Sequence, residues 1–294
     1  MIYEIAGLRV EIANKHAYTT KFCGAYLSEN QDLPADLTAT VTDAELQEER
    51  EASPGFSEGY IENICLYRSI CRQIPMMNRF LLHASILECN GKAYAFLGRS
   101  GTGKSTHTKL WLRFVDNTRV LNGDKPILEY CDGKFYAHGT PWQGKENWGY
   151  KGKAELCGLC FLEQAKVNEI AKLPVGETSS RVFTQVLLPQ DEENVVATLD
   201  LLDKLVADVP AYLLKCDISE EAVKCSFEKL TGEIYEIIYQ NEENGYTVAR
   251  LLTGDGELVT IVGTIPCAAP GENLIVTGRW MNHPTHGEQI QAEQ

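Results

Sequence analysis

Positive charge is scarce in this chain: 27 lysines and arginines stand against 41 aspartates and glutamates, a net charge of −14. A protein that wraps duplex DNA presents a basic surface, so general nucleic-acid binding is disfavoured from the outset. A local basic groove around an anionic ligand stays open. Long hydrophobic runs are also missing. No stretch approaches the length of a membrane span. The opening "MIYEIAGLRVEIANKH" has scattered charges and no continuous apolar core, so no signal peptide is expected, no membrane partner either, and the expected location is the cytoplasm. Zinc-ligand spacing is lacking too. Cys157 and Cys160 form one close pair in "AELCGLCFLEQ", with no second such pair and no histidine partner at zinc spacing. They read as packing residues of a strand, and the ten scattered cysteines suit a reducing compartment.

What is present is an ordinary globular composition, 44% apolar and 23% charged, over 294 residues. That is room for one large or two modest domains. The pattern alternates strands and helices up to about residue 230. "IYEIAGLRVEI" reads as two short strands around Gly7. Residues 29–57 are polar and acidic and read as loop or edge. "HASILEC" and "KAYAFLG" flank Asn90-Gly91, a hairpin signal. A helix is predicted over 104–115, with Leu110, Leu112 and Phe114 among its apolar positions. Strands follow at "TRVL", "PILEY", "KFYAHG", "ELCGLCFLE" and "NEIAKL". Helices are expected at 177–188, 192–208 and 219–230, the last capped by Ser219, with "AYLLKCD" a strand between the latter two. Beyond Thr231 only short strand candidates remain, at the spacing of a small barrel. The expected domains are therefore 1–230 and 231–294.

The sharpest signal is "GRSGTGKS". Gly98, Gly103, Lys104 and Ser105 fit G-x-x-x-x-G-K-[ST] between an apolar strand and a helix. Glycines let backbone amides turn inward toward phosphate oxygens, and the helix start adds its positive dipole end. Residues Gly98, Arg99, Ser100, Gly101, Thr102, Gly103, Lys104, Ser105 and Thr106 are the expected nucleotide seat. Lys104 is assigned to the β- and γ-phosphates, and the Ser105 hydroxyl to Mg²⁺. Two other residues stand at strand ends near this loop in sequence. Asp124, in "LNGDKPIL", suits Mg²⁺ or a proton, and Asn122-Gly123-Asp124 equally suits a plain turn. His83, in "LLHASIL", suits a metal or phosphate and equally suits a packed core between leucines. "HGTPWQGKENWGYKGK", 138–153, is a glycine-rich, basic, aromatic island. Lys145 suits a phosphate there, and Trp142 either stacks on a base or anchors the loop in the core.

Four pieces, "HASIL", "GRSGTGKST", "LNGDKPIL" and "GTPWQGKENWG", resemble the kinase family related to HPr serine kinase/phosphorylase and, more distantly, ATP-dependent phosphoenolpyruvate carboxykinase. The resemblance covers roughly residues 1–230. It implies an α/β, mixed-sheet nucleotide-binding core of that kind, ATP and Mg²⁺ as cofactors, and Asp124, His83 and Lys104 as catalytic residues. Asp124 shares the metal with Ser105, and His83 orients metal or γ-phosphate. HPr kinases carry two adjacent aspartates where this chain has Gly123-Asp124, and the first of them serves as the base. The family's acceptor-protein signature is not found after the core. The implied activity is ATP-dependent phosphorylation of a hydroxyl on a small molecule or protein serine. A catalytically weak nucleotide-responsive module is the alternative.

The segment 231–294 has a different resemblance. "NEENGYTVARL", "VGTIP" and "GRWMNHPTHGEQ" are similar to the N-terminal OB-like domain of RecD/TraA-type DNA helicases. This implies a small all-β OB-like barrel with no motor attached, and a DNA-associated accessory role as a third reading. OB folds bind single strands through basic grooves and stacking aromatics. This segment offers Tyr246, Trp280, Arg250 and Arg279 but is lysine-free and carries −7, so nucleic-acid binding is its lesser reading and the aromatics are expected in the core.

Overall fold

The computed structural model describes residues 1–231, 233–241, 244–252, 258–265, 268–270, 278–283 and 287–292; the side chains of 228–231, 233, 278–280, 282 and 287–288 lie outside that description. In chain order the elements are β1 (Ile2–Ile5), β2 (Leu8–Ile12), α1 (Ala17–Phe22), β3 (Leu37–Ala39), α2 (Asp43–Ala52), α3 (Glu58–Gln73), β4 (Arg79–Leu81), β5 (Ser85–Cys89), β6 (Lys92–Leu97), α4 (Lys104–Phe114), β7 (Thr118–Asn122), β8 (Ile127–Cys131) and β9 (Lys134–His138). They continue as β10 (Lys153–Gln164), β11 (Glu169–Lys172), α5 (Val175–Phe183), α6 (Glu192–Asp208), β12 (Ala211–Cys216), α7 (Glu220–Thr231), β13 (Glu233–Gln240), β14 (Tyr246–Leu252), β15 (Leu258–Thr264), β16 (Gly278–His283) and β17 (Gly287–Ala292). The chain divides into two compact units, Met1–Leu162 with Lys172–Tyr212, and Glu163–Ala171 with Leu213–Gln294.

The first unit is mixed α/β. A small sheet β1-β2-β3 turns at Ala6-Gly7, both at positive φ (50° and 75°), the pairing that a two-residue hairpin requires. The larger sheet runs β4-β8-β9-β10-β6-β5-β7. Its β10–β6 pair is parallel, and β5–β6, β5–β7, β8–β9 and β9–β10 are antiparallel. The β5–β6 turn at Asn90-Gly91 (φ 49° and 79°) and the β8–β9 turn at Asp132-Gly133 (φ 51° and 78°) take the same left-handed form. β6, the strand that delivers the phosphate-loop motif, is buried from Ala93 to Leu97. A parallel strand covered on both faces reads as such a continuous apolar run.

Three sequence expectations change. Part of the acidic stretch 29–57 is helix α2, started by a capping box in which Thr42 accepts from Glu45 N and Glu45 accepts from Thr42 N (2.9 Å). α4 forms as predicted, but its buried face is His107, Thr108 and Trp111, while Leu112 and Phe114 are exposed. Trp111 packs edge-on against Phe96 at 5.4 Å and tilted against Tyr94 at 5.9 Å. α5 ends at Phe183, short of residue 188. Cys160 is buried and Cys157 half-buried on β10, neither in a disulfide, and burial pushes Cys157 up to about 11.

In the second unit five strands form one sheet, β13-β14-β15-β17-β16, parallel at β15–β17 and antiparallel elsewhere. Ile234, Ala249, Leu251, Ile261 and Ile265 make its core. Tyr246 is exposed rather than in that core, and Arg250 is paired with Glu236 at 3.0 Å. The side chains of Arg279 and Trp280 lie outside the described residues. Among the described residues no helix is long and apolar enough to cross a membrane.

Candidate functional site

The loop between β6 and α4 is built on glycines. Gly98, Gly101 and Gly103 sit at φ 146°, 85° and 106°. Gly103 is the N-cap of α4 in the left-handed conformation, and no side chain caps the helix start. The usual serine, threonine or aspartate cap would fill an anion's place with a side-chain oxygen. Here that place is left to the backbone amides. Lys104 folds back over the loop, its Nζ donating to Gly98 O at 2.8 Å and to Arg99 O at 3.4 Å. Burial holds this ammonium below the ordinary lysine range; the Asp124 carboxylate opposes the shift, and the Lys125 charge adds to it. Thr102 Oγ1 also donates to Arg99 O, at 2.9 Å. Arg99, Ser100 and Gly101 are exposed, while Thr102, Ser105 and Thr106 are half-buried.

The turn after β7 supplies the carboxylate. Buried Asn122 accepts through Oδ1 from Asp124 N (2.9 Å) and Lys125 N (2.8 Å), and its Nδ2 donates to Thr140 Oγ1 (3.0 Å). Thr140 in turn donates to Lys125 O at 2.7 Å. Ala84 N donates to Asp124 O (3.2 Å), which brings the chain beside His83 against the turn. His83 Nε2 then lies 3.1 Å from Asp124 Oδ1, and Lys125 Nζ lies 3.2 Å from Asp124 Oδ2. Burial acts to raise the Asp124 carboxyl; the His83 hydrogen bond and the Lys125 charge outweigh it, so Asp124 is held below its usual range.

Segment 139–149 covers this turn. Gly123 N donates to Trp148 O at 2.8 Å. A Cβ on Gly123 would meet Gln143 O at 2.8 Å, and a Cβ on Gly144 would meet Asp124 Cβ at 2.9 Å. Lys109 of α4 lies 5.1 Å from the centre of the Trp148 ring. Trp142 is buried against Tyr67 at 4.3 Å and Phe22 at 6.1 Å, so of its two readings the core anchor holds. Lys145 is exposed.

The fold thus joins His83 to Asp124, whose charge also acts on Lys104, with Ser105 one residue along α4. The sequence reading overlooked Lys125 and the Lys109–Trp148 contact. Lys125 directly follows Asp124, so its charge was visible; what the sequence does not carry is that it turns back onto that carboxylate. The donor set suits magnesium, since a serine hydroxyl and a carboxylate are hard oxygens and Mg²⁺ usually takes one or two carboxylates plus phosphate and water. No group of three histidine, cysteine or acidic side chains arranged for a metal occurs among the described residues.

No curated protein matches the chain. Among solved structures it is similar to the Hpr(Ser) kinase/phosphatase from Coxiella burnetii, at 11% identity, over 49% of this chain and 88% of that chain, with a TM-score of 0.28, a likeness too slight to bear on fold or function. Residues 227–294, which contain all five strands of the second sheet, match the family model of the OB-fold domain of ATP-dependent DNA helicase YrrC.

Proposed function

We propose that the chain is an ATP-dependent phosphotransferase of HPr-kinase-like type, with its nucleotide seat at residues 98–106. The observation that carries this reading is the uncapped start of α4 behind a positive-φ glycine loop, with Lys104 folded over it and the His83–Asp124 pair beside it. Inward amides, a helix dipole and a mobile ammonium are what a polyphosphate needs. Lys104 would leave the Gly98 carbonyl for the β- and γ-phosphates. Ser105 and Asp124 would hold Mg²⁺, which would supply positive charge to offset that of the phosphate oxygens. His83 fixes the direction of the Asp124 carboxylate through the 3.1 Å contact. The acceptor is a hydroxyl of a small molecule or of a protein serine. The kinase-family resemblance of "HASIL", "GRSGTGKST", "LNGDKPIL" and "GTPWQGKENWG" supports the same reading, with 1–230 as the catalytic domain and 231–294 as a separate appendage.

Calorimetric titration of the purified chain with Mg·ATP tests the seat. Binding is expected, with at least tenfold weakening by Lys104→Ala. A γ-phosphate transfer screen over metabolites and lysate proteins then tests the chemistry, and transfer should disappear with Asp124→Asn. Absence of any binding heat with ATP or GTP overturns the proposal.

A second reading rests on Gly123. With no carboxylate there and two main-chain oxygens filling its place, a nucleotide-responsive module without turnover also fits. Tight ATP binding with no transfer and no hydrolysis favours it.

A further inference from the structure

Lys125 is the charge at this site that the motif does not account for. Its backbone is clamped on both sides: the amide by buried Asn122, the carbonyl by buried Thr140. Two polar side chains with no exposure hold one turn, so the point from which the Lys125 side chain springs is fixed. Its Nζ rests on Asp124 Oδ2 at 3.2 Å, with the side chain 30% exposed. Its charge is also felt at Lys104, whose own ammonium lies across the glycine loop. Lys125 and His83 therefore both meet one carboxylate, whose charge is also felt at Lys104.

We propose that Lys125 is a built-in counter-cation for the bound polyphosphate, so that nucleotide binding at the 98–106 loop survives removal of divalent metal. The inference rests on the nucleotide-binding reading above. A divalent ion at a triphosphate neutralises oxygens of the β- and γ-phosphates, and carboxylates commonly draw it in. Here the carboxylate is already matched by an ammonium and faced by an imidazole. A metal ion must displace Lys125 from Asp124 before the carboxylate can serve it. A polyphosphate meets no such obstacle: the Lys125 ammonium, a compact charge on a flexible stem with three donors, turns from Asp124 to the phosphate. Lys104 and Lys125 together bring the two positive charges that one magnesium ion would bring.

The test is calorimetric titration of ATP into the full chain in magnesium buffer and in EDTA, with Lys125→Gln and Lys125→Arg. Wild type is expected to bind in EDTA within about tenfold of its magnesium affinity. Lys125→Gln should lose a further tenfold or more in EDTA and less than about threefold in magnesium. Lys125→Arg, which keeps the charge, should stay near wild type in both. Because the Lys125 side chain is partly exposed and pairs with the neighbouring Asp124, the variants should fold, and circular dichroism checks that. Wild-type binding in magnesium that vanishes in EDTA overturns the inference. So does a Lys125→Gln variant that is unchanged, or equally weakened in both buffers. No binding by wild type in either buffer is a different result, which sinks the nucleotide reading itself.

Discussion

Gly123 and Gln143 are in contact through a missing side chain: a Cβ on residue 123 would lie 2.8 Å from the Gln143 main-chain oxygen, with Trp148 O at 3.3 Å. The space that a carboxylate at 123 would enter belongs to segment 139–149. Substituting the glycine therefore does not add a base to the site; it forces that segment off the Asn122–Lys125 turn. Gly123→Ala is expected to destabilise by about 1–3 kcal/mol, the usual cost of overpacking a filled site. Gly123→Asp should cost more and should not raise phosphoryl transfer. Urea unfolding of both variants beside wild type, with a transfer assay on the folded fraction, checks this; a stable and more active Gly123→Asp refutes it.

His107 sets a pH dependence of stability. It sits on the buried face of α4, accepts from Trp111 Nε1 at 3.2 Å, and burial lowers it to about 4. The unfolded imidazole titrates near 6.5, so between the two values the unfolded chain binds the proton and the folded chain does not. The stabilisation is complete above pH 6.5 and declines as pH falls toward 4. At pH 5 the loss from this group should reach about 2 kcal/mol. Urea midpoints of wild type and His107→Gln between pH 7 and pH 5 measure it. The glutamine variant should show a visibly flatter decline, and parallel curves would contradict the assignment.

Glu129 on β8 is the hub of an ionic cluster. Arg79 of β4 pairs with its Oε1, and His138 Nε2 (2.8 Å) and Lys153 Nζ (2.6 Å) meet its Oε2. Arg79 also donates from Nε to Ala6 O at 2.8 Å, tying the small sheet to the large one. Burial acts to raise Glu129, and the Lys153 and His138 hydrogen bonds outweigh it, leaving it lowered. Lys153 is substantially exposed, so solvent screens what its pairing adds to folding stability. Glu129→Ala, which removes the buried carboxylate from the half-buried Arg79 and from buried His138, should cost about 3 kcal/mol. Because the folded value is depressed, the wild-type contribution is present above the unfolded carboxyl value near 4.3 and fades as pH falls through the folded one. Thermal melts of Glu129→Ala and Glu129→Gln check the magnitude, with glutamine expected to retain part of the stability.

Local signals were legible where a few consecutive residues decide the backbone. Asn90-Gly91 and Ala6-Gly7 specify hairpins because both turn positions need positive φ. The glycines of 98–103 specify a loop because their neighbours are an apolar strand and a helix start. The capping box Thr42–Glu45 was equally local, yet the acidity of 29–57 hid it: α2 has few apolar residues, packs Leu46 against Ile61 and Cys65 of α3, and pairs Glu49 with Arg68 and Glu45 with Arg72. Contacts between distant segments were not legible. Trp142 belongs to the core because Tyr67 and Phe22, remote in sequence, are there to receive it. His107 and Thr108 lie on the buried face of α4 because Trp111, not Leu112, points at Phe96. Lys125 joins the site because Asn122 and Thr140 turn it back, and no spacing in the sequence announces that clamp.

The tail offers little to a nucleic acid. Residues 231–294 hold nine acidic residues, two arginines and no lysine, and Arg250 is already paired with Glu236 at 3.0 Å. Single-strand binding through an OB surface needs phosphate neutralisation as well as stacking. Tyr235, Tyr239 and Tyr246 are exposed and supply aromatic surface, but stacking worth about 1–3 kcal/mol per base works here against a segment net charge of −7 facing a strand of phosphates. Fluorescence anisotropy with a labelled single-stranded oligonucleotide should therefore show no binding tighter than about 10⁻⁴ M near physiological salt, the weak end of the non-specific range. Deleting 231–294 should leave that result unchanged. Micromolar binding that weakens steeply with salt and disappears on the deletion would overturn this prediction.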